Sequence, residues 1–185
     1  MLPGWLYIGH LNPSAVVFFT QYYESPVGRL EISATPEAIT SIHFVDAHKK
    51  PGPGRPQTDE SCLVIEQCIR ELREYFRGER QSFTVPFALD GTPFQRRAWQ
   101  VLCTIPYGQT MTYSQQANRL DNPKAARAVG LCNGNNPIVL LVPCHRVIGA
   151  NGSLTGFGGD LWVKRWLLNH EKKHCGGQAE SMNCP

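Results

Sequence analysis

Cys144 and His145 directly follow an apolar segment, within the sequence LLVPCHRVIG of residues 140–149. A thiolate is a strong nucleophile, but the thiol of a free cysteine has a pKa of about 8.5 and is mostly protonated at pH 7. A protein that uses such a sulfur therefore places a base or a positive charge beside it. We expect the sulfur of Cys144 to be held ionised in a pocket, with His145 as its base.

Contact between this thiol and the imidazole needs a particular backbone. Neighbouring side chains of a strand point to opposite faces, so the two residues require either a turn at Pro143 or a bridging water. A carboxylate would then fix the tautomer of the imidazole, as in catalytic triads. Between residues 92 and 173 the candidate carboxylates are Asp121, Asp160 and Glu171. Asp160 suits a helix cap better, so Glu171 is the predicted partner of His145.

Cys144 has a second interpretation as a buried structural cysteine, which is common after an apolar run. The sequence PCHR alone does not separate catalysis from packing. We interpret the remaining cysteines as packing or incidental residues: Cys62, Cys68, Cys103, Cys132, Cys175 and Cys184. The total of seven is odd and contains no C-x-x-C pair, which argues against a disulfide scaffold or a zinc knuckle and for a reducing compartment.

Charge is distributed unevenly along the 185 residues. Residues 1–91 carry 8 basic and 11 acidic side chains, whereas residues 92–173 carry 10 basic and 3 acidic ones, a net charge of +7. A basic half joined to an acidic half suggests a polyanion such as nucleic acid as the partner of the second half. A basic domain without such a partner would show the same count. No run reaches the roughly 18 apolar residues of a membrane span, so we expect no membrane anchor.

The first half of the chain has the pattern of a small sheet and one helix. Alternating apolar and polar residues predict strands over 29–35 and 39–45, joined by a short turn. The stretch 46–59 is rich in Pro, Gly and Lys and predicts a loop. An apolar face over residues 65–76 then predicts a helix that stops at Gly78, and residues 82–89 are predicted to be extended.

The second half is predicted to be mostly helical. The segments TPFQ at 92–95 and TYSQ at 112–115 are capping boxes, and they begin helices that run to about Ile105 and Leu120. Asn122 and Pro123 are predicted to cap a third helix, which Gly134 can end. The second and third of these helices, with the tight turn between them, have the spacing of a helix-turn-helix, although an ordinary pair of packed helices has the same geometry.

Two further elements surround Cys144 in the sequence. The run IVLLV at 138–142 predicts a strand that is buried on both faces. Asp160 is predicted to cap a last helix over LWVKRWLLNHE. We expect that helix to turn Leu161, Trp162, Trp166 and Leu167 toward the core, and Lys164 and Arg165 toward solvent.

Six segments together resemble the O6-alkylguanine-DNA alkyltransferases: TPFQRRAW, PYGQTMTYSQQA, NPKAARAVG, NNPIVLLVPCHRVIG, SLTGFGG and KRWLLNHE. The resemblance is strong over about residues 92–171 and extends more weakly to 24–91. It implies an α/β N-terminal domain at 1–91, with a small antiparallel sheet plus a helix of ribonuclease-H-like type and with residues 1–20 as a candidate extended arm. A mostly α, winged-helix-type domain that binds DNA and accepts the alkyl group would follow at 92–173, with a tail at 174–185.

The resemblance implies DNA repair by direct reversal of damage. The alkyl group of O6-alkylguanine, and less readily of O4-alkylthymine, would move irreversibly to Cys144 after base flipping, once per molecule. The partner would be double-stranded DNA carrying alkylated bases, bound through the minor groove by a monomer in the cytoplasm, or in the nucleus of a eukaryote. The alternatives are a protein that binds alkylation lesions without catalysis and a Cys-His hydrolase.

The resemblance also assigns roles to individual side chains. His145 would act through water as the base, Glu171 would orient it, and Asn136 would brace the turn near the thiol. Tyr113 would help to rotate the nucleotide and protonate the departing base, and Arg127 would fill the gap in the base stack. Further contacts with the DNA or the guanine are implied for Gln95, Ser114, Asn122, Val147 and Gly158.

Two departures from the family pattern carry expectations of their own. Some members bind zinc in the N-terminal domain through Cys and His, but the corresponding stretch EISATPEAITSI at 31–42 has no Cys, so we expect no metal and no cofactor. Phe157 and Gly158 stand where other members have tyrosine and serine. The missing groups predict a more open pocket that admits larger alkyl adducts.

Overall fold

The computed structural model describes residues 17–45 and 62–175. The chain divides into two compact units. The N-terminal unit ends at Gly91 and also takes in Pro137–Val139, and the C-terminal unit contains Thr92–Asn136 and the chain from Leu140 onward. The predicted loop at 46–59, most of the candidate arm at 1–20 and most of the tail lie outside the described residues.

The N-terminal unit contains a three-stranded antiparallel sheet in the order β1–β2–β3. The strands are β1 (Phe19–Ser25), β2 (Gly28–Ala34) and β3 (Ile39–Phe44). Ile32 of β2 pairs with Ile42 of β3, and both side chains are fully buried. The predicted hairpin of β2 and β3 is confirmed, whereas β1 was not predicted.

The helix of this unit, α1 (Leu63–Phe76), is confirmed with its apolar face. Ile65, Cys68, Leu72 and Tyr75 are buried on that face, and Gly78 leaves the helix with a φ of 77°, a value that favours glycine. The buried Glu71 lies on the same helix. Its carboxylate accepts hydrogen bonds from the backbone N–H groups of Thr84 and Val85, which fixes the extended segment that follows.

The run at 138–142 does not form the predicted central strand. Only a short bridge joins Ile138 to Ile42, where the N–H of Ile42 donates to the carbonyl of Pro137 and the N–H of Val139 donates to the carbonyl of Ile42. Leu140 then turns the chain with a φ of 74°. An apolar run shows that a segment is buried but not which backbone conformation it adopts, and that ambiguity explains the error.

The C-terminal unit is mainly helical. Its helices are α2 (Pro93–Cys103), α3 (Tyr113–Arg119), α4 (Ala126–Gly134) and α5 (Leu161–His174). Two short strands, β4 (Met111–Thr112) and β5 (Val147–Ile148), pair in parallel. The capping boxes at Thr92 and Thr112 are both confirmed. Asn122 makes no side-chain cap, and a 3-10 turn over Pro123–Ala125 precedes α4, so the predicted cap at Asn122 is wrong.

A buried pair of amides joins α3 to α4. The side chains of Gln116 and Asn133 hydrogen-bond each other in both directions, at 3.2 and 2.7 Å, and neither is exposed. Gln116 also donates to the carbonyl of Ala98 on α2 at 3.0 Å. Small residues surround the pair, since Ala98, Ala117, Ala125 and Val129 belong to one core cluster. The three helices can therefore pack closely while their buried polar groups stay hydrogen-bonded.

The predicted orientation of α5 is wrong for Leu161, Trp162 and Lys164, and the predicted cap at Asp160 is also wrong. Leu161 and Trp162 are 50% and 54% exposed, whereas Lys164 is fully buried. The carboxylate of Asp160 does not cap the backbone of the helix, and it accepts a hydrogen bond from Trp162 Nε1 instead. Val163, Leu167 and Glu171 form part of the buried face. Hydrophobicity alone favours burying the leucine and the tryptophan, but the contacts of Lys164 and Glu171 set the rotation of this helix.

No described helix is both long enough and apolar enough to cross a membrane. Within residues 17–45 and 62–175, no group of three or more His, Cys, Asp or Glu side chains could hold a metal ion.

Replacing Asn133 with alanine should destabilise the protein, because Gln116 would be left buried with one donor and one acceptor unpaired. A buried polar group that loses its partner costs about 1–3 kcal/mol, and we expect a loss of that size in the free energy of unfolding measured with urea. Asn118→Ala, an exposed position on α3, serves as the control and should change it by less than about 0.5 kcal/mol. Equal effects of the two substitutions would contradict a stabilising role for the pair.

Candidate active site

Cys144 begins a 3-10 turn over Cys144–Arg146, immediately after Pro143. The chain therefore turns at the proline, which was one of the two backbone arrangements predicted. The N–H of Arg146 donates to the carbonyl of Pro143 at 3.0 Å, and Asn136 Nδ2 donates to the carbonyl of Val142 at 2.7 Å. This hydrogen bond from Asn136 joins the two ends of the apolar run and fixes the position of Val142, the residue before Pro143.

The imidazole of His145 faces the carboxylate of Glu171 inside the C-terminal unit. His145 Nε2 lies 2.8 Å from Glu171 Oε1, and both side chains are at most 1% exposed. A carboxylate accepts hydrogen bonds, so Nε2 carries a proton, and in the neutral ring Nδ1 then carries a lone pair. Nδ1 is buried and has no hydrogen-bond partner among the described residues. The second nitrogen of His145 is therefore available to take up a proton.

Glu171 also accepts three further hydrogen bonds. Arg146 donates from Nε to Oε2 at 2.9 Å and from Nη2 to Oε1 at 3.0 Å. The backbone N–H of Gly108 donates to Oε2 at 3.0 Å. Although burial acts to raise the pKa of Glu171, its contacts with His145 and Arg146 hold that pKa well below the usual range for a carboxyl group. Glu171 is therefore a buried, permanent anion that joins α5 to the 3-10 turn and to the chain before β4.

The sulfur of Cys144 differs from the expectation of a resting thiolate. The side chain is 1% exposed, and this burial raises the pKa of the thiol, against the lowering effects of a hydrogen bond from Asn136 and the charge of Lys164. Burial likewise lowers the pKa of His145, against the raising effect of Glu171. At neutral pH the site holds a protonated thiol and a neutral imidazole. A nucleophilic reaction at Cys144 would therefore require the thiol proton to leave during the reaction itself.

Lys164 is a site residue that sequence reasoning missed, because the lysine was expected on the exposed face of α5. Its Nζ donates to the carbonyl of Thr155 at 2.6 Å and lies 3.5 Å from the hydroxyl of Tyr113. Burial lowers the pKa of this lysine to about 8, while the neighbouring Cys144 acts to raise it. Its spacing of seven residues from Glu171 places both on one helical face, a signal that could have revealed it.

Tyr113 lies at the start of α3 and faces the loop before α5. Its hydroxyl donates to the carbonyl of Thr155 at 2.5 Å, the same acceptor that Lys164 uses. Gly156 has a φ of 58°, and a Cβ there would lie 2.5 Å from the tyrosine hydroxyl, so the loop needs glycine at this position. Tyr113, Lys164 and the loop form one hydrogen-bonded group beside the cysteine turn.

The other predicted site residues lie in different surroundings. Three of the predicted DNA contacts are exposed, as groups that contact a macromolecule would be: Arg127 on α4, Ser114 on α3 and Asn122 at the turn between these helices. Gln95 serves the capping box of α2, where its Oε1 accepts the N–H of Thr92. The side chain of Val147 is fully buried on β5, which leaves its backbone for any contact. Gly158 is exposed, and a Cβ added to it would lie 3.0 Å from the carbonyl oxygen of Gly134.

Comparison with known families matches both units of the chain. Residues 93–173 match the model of the DNA binding domain of 6-O-methylguanine DNA methyltransferase, and residues 18–89 match the model of its ribonuclease-like domain. The chain belongs to the 6-O-methylguanine DNA methyltransferase family. The predicted fold class, a small antiparallel sheet with a helix followed by a mostly helical domain, is confirmed as that of this family.

Individual relatives are similar over most of their length. The methylated-DNA–protein-cysteine methyltransferase of Haemophilus influenzae is 46% identical over 153 residues, covering 82% of this chain and 84% of that protein. The protein of the same name from Mycolicibacterium paratuberculosis is 44% identical over 151 residues, covering 82% of this chain and 90% of that protein. The chain is therefore similar to whole proteins of this name.

Two solved structures are also similar to this chain over most of their length. The crystal structure of Mycobacterium tuberculosis O6-methylguanine methyltransferase has a TM-score of 0.79 and 40% identity, covering 85% of this chain and 94% of that one. The Mycobacterium tuberculosis OGT structure in complex with DNA has a TM-score of 0.72 and 42% identity, covering 85% and 93%.

Removing the charge of Lys164 should make the thiol of Cys144 harder to ionise. At pH 7 the lysine still carries its charge, because its pKa is about 8, and an opposite charge stabilises the thiolate that reacts. Lys164→Met should therefore slow alkylation of Cys144 by iodoacetamide about tenfold at pH 7, the equivalent of about one pKa unit, and the difference from the wild type should shrink as the pH rises above 8. Peptide mass mapping measures the rate at Cys144. Lys172→Met, an equal charge change at an exposed position of α5, is the control and should keep the wild-type rate. The same rate in both variants at pH 7 would show that Lys164 does not act on the thiol.

Proposed function

We propose that the protein repairs DNA by transferring an alkyl group from O6 of guanine, and less readily from O4 of thymine, to the sulfur of Cys144. The observation that carries this proposal is the arrangement of three groups: a buried thiol, a neutral imidazole with an unpaired nitrogen, and a carboxylate that orients the imidazole. Membership of the methyltransferase family supports the same reaction. The arrangement suits a nucleophile that is activated only during reaction.

The transfer exchanges one bond for another. Sγ of Cys144 attacks the alkyl carbon, a carbon–sulfur bond forms, and the bond between that carbon and O6 breaks with its electrons moving into the guanine ring. The thiol proton passes through a water molecule to Nδ1 of His145. The departing guanine gains a proton from the hydroxyl of Tyr113, and the imidazolium of His145 returns the thiol proton through water to Tyr113, so the proton lost by the thiol ends on the guanine. The net products are a thioether and unmodified guanine.

This chemistry accounts for a protein that acts once. The thioether sulfur holds no exchangeable proton, and its alkyl carbon is a poor target for water. A water molecule that regenerated the thiol would have to displace a thiolate from an unactivated carbon. We therefore propose one transfer per molecule, with the protein itself consumed as a reagent.

The burial of Cys144 requires the alkylated base to leave the DNA duplex. At 1% exposure the sulfur cannot approach a base inside a duplex, so the nucleotide must be flipped out, at a cost of about a few kcal/mol. Tyr113 donates to the carbonyl of Thr155 in the free protein, so its hydroxyl must exchange that acceptor for the base. Entry of the base and release of Tyr113 from the loop are therefore a single event in this mechanism.

The exposed surface of α3 and α4 suits the DNA backbone. Lys124 is exposed in the 3-10 turn before α4, and Arg127 and Ala128 are exposed at the start of α4, where the short side chain of Ala128 allows close approach to a minor groove. Arg127 would occupy the space that the flipped nucleotide leaves, while Ser114, Asn122 and Gln95 would contact phosphates or sugars. Contacts of this kind carry no sequence information, which suits a search for lesions anywhere in DNA.

We also propose that the protein acts as a monomer, because a damaged base offers no two-fold symmetry for a dimer to match. The six cysteines within the described residues are free, which is consistent with a reducing compartment such as the cytoplasm.

The decisive experiment mixes the protein with duplex DNA that carries radiolabelled O6-methylguanine. We expect one label per protein molecule, located on Cys144, and no label on Cys144→Ala despite retained DNA binding. Cys175→Ala, at an exposed cysteine, is the control and should accept the full amount of label. Label that remains on tightly bound DNA would instead indicate a lesion sensor, and catalytic release of a small labelled product would indicate a Cys-His hydrolase.

The loop before α5 contains Phe157 and Gly158, where other members have tyrosine and serine. The more open pocket predicted from these two residues should allow efficient reaction with free O6-benzylguanine. A Cβ at residue 158 would press on the Gly134 carbonyl at 3.0 Å, so Gly158→Ser should displace the loop and slow this reaction. If the displaced loop costs the transition state about 1 kcal/mol, the rate should fall about fivefold. Ala150→Ser, an exposed change on the same loop, should keep the wild-type rate. Poor wild-type reaction with O6-benzylguanine beside efficient repair of methylated DNA would contradict the open pocket.

A further inference from the structure

The carboxylate of Glu171 is shared between two potential cations. Arg146 takes both of its oxygens, at 2.9 and 3.0 Å, whereas His145 takes only Oε1, at 2.8 Å. Arg146 also donates from Nη1 to the carbonyl of Ile105 at 2.7 Å, and the side chain is 8% exposed. The guanidinium is therefore buried, bidentate and tied to the end of α2 as well as to α5.

We propose that Arg146 is a positioning residue of the alkyl transfer, which occupies the Glu171 carboxylate and so keeps the imidazole of His145 neutral and able to accept the thiol proton. This inference rests on the proposed function. A buried His–carboxylate pair without another cation favours the imidazolium, because the charged ring would offset the anion. An imidazolium has no lone pair and could not accept a proton from Cys144.

One negative charge offsets one positive charge, and arginine is always charged. With the guanidinium against Glu171, a second cation at His145 would meet Nη2 of Arg146 at the same carboxylate oxygen. The imidazole therefore keeps a single proton, on Nε2, and donates it to Oε1 as a neutral group. Glu171 still orients the ring, but it no longer pulls a second proton onto it.

Apart from Glu171, the groups around His145 oppose the charged ring or are neutral. From α5, Glu171 favours the charged ring, and Lys164 opposes it. From the turn itself, Arg146 opposes it, and Cys144 is protonated at neutral pH. Tyr107, in the chain between α2 and β4, has its ring 5.7 Å from the guanidinium of Arg146, and burial beside Glu171 raises the pKa of its phenol to about 12, so this group is neutral. Arg146 is the cation that directly contacts the carboxylate.

The shape of arginine matters as much as its charge. A lysine could neutralise Glu171, but its single nitrogen cannot bind both carboxylate oxygens and the carbonyl of Ile105 together. The planar fork also fixes the plane of the carboxylate, and thereby the direction in which His145 Nδ1 points. Arg146→Lys should therefore still favour the neutral imidazole of His145 in part, and Arg146→Gln should lose this effect.

The test is the pH dependence of single-turnover methyl transfer from labelled DNA. In Arg146→Gln, the acid limb of the profile should move to higher pH by about one unit or more, so that the rate at pH 6 falls about tenfold and recovers as the pH rises toward 9. Arg146→Lys should show a smaller shift. Arg29→Gln, which removes an equal charge from an ion pair with Glu24 in the N-terminal unit, should keep the wild-type limb. A loss of rate that is equal at every pH would show a purely structural role and overturn the inference, as would an unchanged profile.

A measurement on the wild-type protein can overturn the inference even if the Arg146 variants do not fold. Nitrogen-15 NMR of the imidazoles, with His145 assigned from the spectrum of His145→Gln, should show a neutral ring protonated on Nε2 at pH 7. A ring protonated on both nitrogens at that pH would overturn the inference. If the wild-type protein accepts no label from any alkylated DNA, the proposed function fails, whereas the NMR result still reports the state of His145 separately.

Discussion

The C-terminal unit is organised around a buried negative charge that water cannot reach. The carboxylate of Glu171 is satisfied by Arg146, His145 and the N–H of Gly108, so one anion joins the last helix, the cysteine turn and the chain before β4. Removing one partner of a buried ion pair is strongly destabilising, because the remaining charge stays out of water. This requirement fixes the rotation of α5. It buries Lys164 and Glu171 on one face and leaves Leu161 and Trp162 in solvent, against their hydrophobicity.

Burial alone does not distinguish the candidate nucleophile from the structural cysteines. Burial raises the thiol pKa of Cys68, of Cys103 to about 12, and of Cys144 itself. For Cys68, the difference from Cys144 lies in the surrounding groups. Cys68 has the anion Glu71 nearby, which raises its pKa further, whereas Cys144 has the amide of Asn136 and the ammonium of Lys164, which stabilise a thiolate once it forms. A thiol that stays protonated until a substrate arrives suits the proposed reaction, in which the sulfur is used only once.

Local signals in the sequence predicted the elements that depend on local chemistry. The two capping boxes, the hairpin of β2 and β3, and the amphipathic α1 follow from residues close together in the chain, and the structure contains all of them. The pairing of His145 with Glu171 could be proposed because few carboxylates were available. The burial of Lys164, the turn at Leu140 and the strand β1 depend on contacts with distant residues, such as the carbonyl of Thr155 and the partner strand β2. No local pattern encodes such contacts, and for Lys164 only its helical spacing from Glu171 gave a signal.

The geometry of α4 connects DNA binding with the chemistry inside one unit. The exposed face of this helix carries Arg127, and its buried end carries Asn133, which Gln116 holds in place. Three residues later, Asn136 binds the carbonyl of Val142 and supports the cysteine turn. The distance from the arginine to the sulfur is therefore set by a single short helix and two amide contacts. In the proposed mechanism, selectivity comes from whether a flipped base fits the site and not from contacts with base edges. A rigid link between Arg127, proposed to fill the gap, and Cys144, proposed to accept the alkyl group, would then matter more than contacts with base edges.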